Sequence, residues 1–178
     1  MTELAGLLAG IPIQHGWAYL AGGIGVLVEW RAYFAQNGLK FRRWSAAGAL
    51  LWALQYVLLA AWTAALTMAC TALRTALSAK WDQAPHKHWA AIGFVALFIG
   101  LTAMSWQGEV SLLPAFAVVN TTLALFYLDN RRMRIGLLAS SLAWIGNDWY
   151  WQAWPALIAE SVAMLINLRT LSRLPVHR

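Results

Sequence analysis

Two tryptophan–amide pairs carry the chemistry of this chain: Trp52 with Gln55, and Trp144 with Asn147. In each pair the amide follows the aromatic by three residues, so on a helix the two share one face. An aromatic plane beside an amide that both donates and accepts suits a neutral polar solute such as a sugar, a nucleoside or a vitamin. The same residues also have a plain structural use, packing for the indoles and interhelical hydrogen bonding for the amides. Asn120 joins the candidate solute-binding set, and Asn167 is a further interior polar residue. Glu160 is the sharpest single residue, because an ionised carboxylate inside an apolar run is costly and commonly functional. It is the candidate for proton or cation coupling. Glu29, in "VEWRAYF", has Arg31 close by, and a structural ion pair is its expected use.

The elements that position these residues follow from composition. The chain has 178 residues, is 61% hydrophobic and only 11% charged, and has a mean hydropathy of +0.56. Soluble domains carry about 25% charged residues. Apolar stretches long enough to cross a bilayer as helices follow one another at 16–35, 43–60, 62–79, 89–106, 109–128, 134–151 and 152–171. The second and third are divided only around Ala60-Ala61, and the sixth and seventh only around Trp151-Gln152. Both breaks are inferred from length, since either combined helix would far exceed a membrane. The expected fold is an all-α membrane protein with seven transmembrane helices.

Depth then separates the tryptophans. Trp144 lies ten residues from Arg134, about 15 Å along a helix, near the middle of a hydrocarbon core about 30 Å thick. Trp52 lies equally deep from Arg42. Trp62, Trp149, Trp151 and Trp154 fall near the opposite edge, where tryptophan ordinarily forms an interfacial belt.

The net charge of +6 is topological. All 13 basic residues, from Arg31 and Lys40 to Arg173 and Arg178, lie toward one face, with Arg74 and Arg169 placed in the last turns of their spans. The opposite connections hold Glu3, Glu109 and Asp148. The positive-inside rule puts the basic face in the cytoplasm and the N-terminus outside. Localisation in a membrane follows, with the lipid bilayer and a small-molecule solute as partners. Nucleic acid is not a partner, and assembly as a homo-oligomer stays open. No basic n-region precedes the apolar segment Leu4–Ile13, so no signal peptide is expected.

Several residues take ordinary readings. Cys70 lies in an apolar span and reads as a small buried hydrophobe. His86 and His88, in "APHKHW", have no companions at metal-ligand spacing. Gly22, Gly23 and Gly25 permit close helix contact, while Pro114 and Pro155 are expected to bend or open their helices. No nucleophile–histidine–acid set is present, so no enzyme activity, cofactor or metal is expected.

The chain also resembles itself. At a shift of 92, residues 20–77 overlie 112–169 with 12 identities in 58 positions, against roughly four or five expected from such a composition. The matches include Arg42/Arg134, Trp52/Trp144 and Trp62/Trp154, with Gln55/Asn147 as a conservative companion. The repeat is three spans long and leaves one span over. A single odd helix between two units keeps them in the same orientation, so the expectation is a 3+1+3 parallel repeat of two three-helix bundles. Its boundaries are an N-terminal segment 1–15, bundle 16–80, a linker with helix 4 at 81–108, bundle 109–172 and a tail 173–178. Such repeats are common in transporters with a midplane site between the repeats.

The glycine-rich first helix, the basic loop, the run "LWALQYVLL" at 51–59 and Arg74 closing the third helix resemble the YgjV-type family of small bacterial inner-membrane proteins. That family is similar to the group holding the SWEET sugar transporters, the PQ-loop proteins and the vitamin transporters for nicotinamide riboside. The resemblance covers roughly residues 16–171 and implies paired three-helix bundles around a central solute path. In SWEETs a tryptophan and an asparagine line that path, which the present pairs match by type and depth. Gln55 stands where histidine is expected in many relatives, so a histidine-dependent proton step is not implied. The leading expectation is a small-solute transporter working by alternating access. The alternative is a scaffold, assembly or regulatory membrane protein that uses the same fold.

Overall fold

The computed structural model describes residues 13–33, 38–81, 87–128 and 130–173. The N-terminal segment with Glu3, His86 in the linker, and the tail from 174 with Arg178 lie outside the described residues. Among the described residues there are seven α-helices and no strand: α1 (Ile13–Tyr33), α2 (Gly38–Leu58), α3 (Trp62–Trp81), α4 (Lys87–Met104), α5 (Leu112–Tyr127), α6 (Asn130–Tyr150) and α7 (Trp154–Arg173). A short 3-10 turn, Glu109–Ser111, leads into α5.

Each apolar stretch becomes one helix, with ends that shift for identifiable reasons. The basic residues Lys40, Arg42, Arg43, Arg131, Arg132 and Arg134 lie inside the first turns of α2 and α6 rather than in connections. Lysine and arginine are good helix formers, and their long stems let the helix continue past the apolar run. Pro114 and Pro155 also differ from expectation. Each stands in the first turn of its helix, where a missing N–H breaks no helical bond. They start α5 and α7 rather than bend them.

The two breaks inferred from length alone are tight turns of the same design. After α2, Ala60 donates to the Val57 carbonyl at 3.0 Å and Ala61 to that of Tyr56 at 2.9 Å. After α6, Gln152 donates to Trp149 at 3.3 Å and Ala153 to Asp148 at 2.8 Å. This is the Schellman pattern, which needs a left-handed residue just past the helix. Ala60 (φ 58°) and Gln152 (φ 53°) adopt that conformation without being glycine.

The helices pack in chain order, α1 on α2 on α3 and α5 on α6 on α7. The two groups meet along two seams, α1 against α7 and α3 against α5, while α4 lies beside α3 and α5. Polarity is distributed inside out. Trp89, Met104, Leu27 and Ile166 are exposed, whereas Gln55, Asn147, Thr67 and Thr122 are fully buried. Water-soluble proteins do the reverse, and an apolar exterior of this extent calls for lipid. By length and composition alone, α4 and the segment Glu109–Tyr127 are apolar enough to cross a membrane. The other helices carry polar residues such as Asn147 and Asp148 on buried faces.

Candidate functional site

The interior of the helix array is built from α2 and α6. One turn of α2 presents Trp52, Gln55 and Tyr56, and one turn of α6 presents Trp144, Asn147 and Asp148, all buried. Tyr56 stacks on Trp144 with ring centroids 5.9 Å apart and planes 19° from parallel. Its hydroxyl donates to Asp148 Oδ1 at 2.5 Å. Asn147 Nδ2 donates to the same oxygen at 3.2 Å, and its Oδ1 is buried with no hydrogen-bond partner.

Gln55 is the more exceptional amide. It is fully buried, and neither Nε2 nor Oε1 has a partner. It is wedged where α1 approaches α7. A Cβ on Gly22 would overlap Gln55 Oε1, lie 2.7 Å from its Cδ and 2.9 Å from Pro155 Cβ. Here glycine is required by space, because any side chain would displace the amide or push α7 away. Gly25, one turn further along α1, receives the Trp52 ring at 3.4 Å from a built Cβ.

The acids line the same interior. Glu29 on α1 accepts the Trp52 indole N–H at 3.2 Å, and Arg31 lies over the Trp44 ring at 5.5 Å. The expected Glu29–Arg31 ion pair is therefore replaced by an indole–carboxyl contact. Successive helical residues point about 100° apart, so two positions two residues apart diverge. Glu160 on α7 hydrogen-bonds with the Ser141 side chain of α6. It also lies close enough to Asp148, Tyr56 and Glu29 to act on each electrostatically.

Trp52, Gln55, Trp144 and Asn147 are thus all buried side chains of α2 and α6, and Asn120 is placed differently. Asn120 Nδ2 donates to the Gly136 carbonyl at 2.6 Å and to Ser140 Oγ at 2.9 Å, stapling α5 to α6. Asn167 likewise joins α7 to α6 through Arg134, with Arg134 donating to Oδ1 at 3.1 Å and Nδ2 donating to the Arg134 carbonyl at 3.0 Å.

Two residues of the site escape a reading of the sequence. Asp148 is expected in an outer connection, but it lies within α6 and is 1% exposed. Its helix continues through Tyr150, so the acid faces inward instead of ending the span. Tyr56 passes as core filler. The signal for both is the spacing of 92, which pairs position 56 with 148.

A family model described as a bacterial inner membrane protein, Imp-YgjV, matches residues 16–178. The chain belongs to that family. No curated protein and no solved structure matches it. Membership accounts for the apolar exterior of this Imp-YgjV protein and places it in a bacterial inner membrane. The description names no solute and no reaction.

Proposed function

We propose that this Imp-YgjV protein carries a small polar solute across the membrane by alternating access between two three-helix bundles, 16–80 and 109–172. On this reading all seven helices cross the bilayer, with the N-terminus outside and the C-terminus in the cytoplasm. The bundles form a parallel 3+1+3 repeat, related by an axis near the membrane normal. Three observations support the repeat. The turns at 59–61 and 151–153 share hydrogen bonds and left-handed residues at a spacing of 92. The seams are reciprocal, first helix of one unit against third of the other, twice. Tyr56 and Asp148, 92 apart, touch each other, as equivalent positions do only beside the axis that relates them.

The observation that carries the transport reading is the unpartnered amide pair. Gln55 and Asn147, 92 residues apart, are both fully buried and leave amide atoms without partners. An orphaned buried polar group costs about 1–3 kcal/mol, which a scaffold gains nothing by keeping. A transporter has a use for it, because a bound solute completes the bonds.

Purified protein in liposomes tests this directly. Uptake of a panel of sugars, nucleosides and vitamins above that of empty vesicles is expected for at least one solute. The double variant Gln55→Leu, Asn147→Leu should abolish that uptake while raising the unfolding temperature. No uptake above empty vesicles for any solute would favour the scaffold. The topology is tested separately: Gly108→Cys should react with an impermeant thiol reagent from the periplasm, and Arg131→Cys should not.

A further inference from the structure

We infer that the buried cluster of acids, amides and aromatic rings around Asp148 binds an organic cation and exchanges it for a proton held on Asp148. This rests on the transport reading and names the solute class of the same site. Three carboxyl side chains, Glu29, Asp148 and Glu160, border the buried aromatic and amide groups. Asp148 faces Tyr56 from α2, Glu160 from α7 and, one step further out, Glu29 from α1. Helix α5 contributes no Asp, Glu, Lys, Arg or His. The buried arginine of α3, Arg74, is committed elsewhere, donating to Thr122 Oγ1 at 2.6 Å and lying over the Phe98 ring at 5.7 Å. Among the described residues, no Lys, Arg or His contact is seen at these acids.

Acids alone would not make a site. The second observation is the amide set, Gln55 with both polar atoms orphaned and Asn147 with a free Oδ1, each fully buried. Asn147 points into the acids, since its Nδ2 is bonded to Asp148. Carboxyl and carbonyl oxygens want donors, and the faces of Trp52, Trp144 and Tyr56 attract a cation through their ring quadrupoles. A positively charged solute with N–H donors and a flat apolar body meets all three demands. A neutral sugar can bond the amides and stack on the rings, but it brings no charge to balance a carboxylate. Among the described residues no three acids, histidines or cysteines converge to hold a metal ion, so the groups fit a body of several atoms better than a bare cation.

The burial of Asp148 identifies the counter-occupant. Asp148 Oδ1 already accepts two hydrogen bonds, from Tyr56 and Asn147. A carboxyl buried in a membrane interior beside another acid takes a proton, since a bare charge there is strongly disfavoured. Its proton is therefore on Oδ2. When a monocation binds from the open side, the Asp148 carboxyl gives that proton to water on the same side and its carboxylate pairs with the solute. When the solute leaves on the other side, a proton from water there returns to Oδ2. One proton moves against one monocation, and no net charge crosses.

Radiolabelled benzylguanidine, whose guanidinium stays protonated near neutral pH and carries N–H donors, is the probe, with labelled glucose and uridine as neutral comparators. In liposomes with an acidic interior and an alkaline exterior, benzylguanidine should accumulate at least tenfold over liposomes with equal pH. A membrane potential alone should not drive it. Asp148→Asn keeps an oxygen for the Tyr56 hydroxyl, so its unfolding temperature should stay near the native value while accumulation is lost. Glu160→Gln should weaken accumulation less. Entry of glucose or uridine with exclusion of benzylguanidine would overturn this inference and leave transport standing. Benzylguanidine uptake indifferent to the pH gradient or to Asp148→Asn would also overturn it. If none of the three solutes enters, both readings fall.

Discussion

The α3–α5 seam and the α1–α7 seam are made differently. Along α3 and α5 the contact is laced with hydrogen bonds: Thr63 Oγ1 donates to Ser111 Oγ at 3.0 Å, and Arg74 donates to Thr122 at 2.6 Å. The connection leading into α5 ties to the start of α3. There Gln107 Oε1 accepts the Trp62 N–H at 2.6 Å, and Gln107 Nε2 donates to the Ala60 carbonyl at 2.8 Å. Along α1 and α7 no hydrogen bond crosses among the described residues. That seam is a surface contact, Gly22 against Pro155, with the unpartnered Gln55 amide between them. A stitched seam and a smooth one in the same ring suggest which part moves. If the bundles rock, α3 and α5 form the hinge and α1 and α7 form the gate.

The largest test of this contrast is cross-linking. A disulfide engineered between α1 and α7 at positions other than Gly22 should stop uptake almost completely, and reduction should restore it. A disulfide between Thr63→Cys and Ser111→Cys should leave most of the uptake. Equal inhibition by both would remove the distinction between hinge and gate.

A gate this close also predicts intolerance at one glycine and tolerance at the next. Gly22→Ala should cost about 3 kcal/mol, the upper end for overpacking, because the added carbon meets Gln55 and Pro155. Gly23→Ala, whose carbon would meet nothing within 4 Å, should gain up to about 1 kcal/mol in helix propensity. Thermal unfolding in detergent reads both, and equal losses would mean that the α1–α7 contact is not close-packed.

Between the seams, the central contact should have an intermediate effect. Tyr56→Phe removes the hydroxyl donor from Asp148 and should destabilise the fold by about 1–2 kcal/mol. Asp148→Asn, which retains an acceptor, should cost less. The smallest effect is expected at the paired turns. Ala60→Gly and Gln152→Gly should each stabilise by about 1 kcal/mol by relieving left-handed strain. Similar gains at both positions would support the repeat, whereas a gain at only one would weaken it.

Much of this was legible in the sequence. The seven helices follow from apolar runs because each run is as long as a helix needs to be. Even the turns at 60 and 152 yield to length, although neither contains the glycine that normally marks a left-handed cap. Inward and outward faces were harder to read, since α1, α2 and α6 are apolar or small on nearly every side and carry little periodic signal. Distance from a helix end also misled. Arg74 appears terminal but is buried two turns inside α3, and Asp148 appears to lie in a connection but is sealed within α6. The tryptophan–amide pairs were visible because they match at a spacing of 92. Tyr56 and Asp148 were not, because a search for identities passes over the one place where equivalent residues must differ.

That difference has an ancestral consequence. If the chain arose by duplication of a three-helix unit that once worked as a pair of identical copies, whatever stood at this position faced itself. Tyrosine opposite aspartate, donating at 2.5 Å, is an arrangement that no symmetric pair contains. A paired unit made from the second half alone would set Asp148 against a second Asp148, two acids competing for one donor that neither supplies. Fusion freed the two copies to specialise, one as giver and one as receiver, and the exchange of roles closed the way back to a dimer of equal halves.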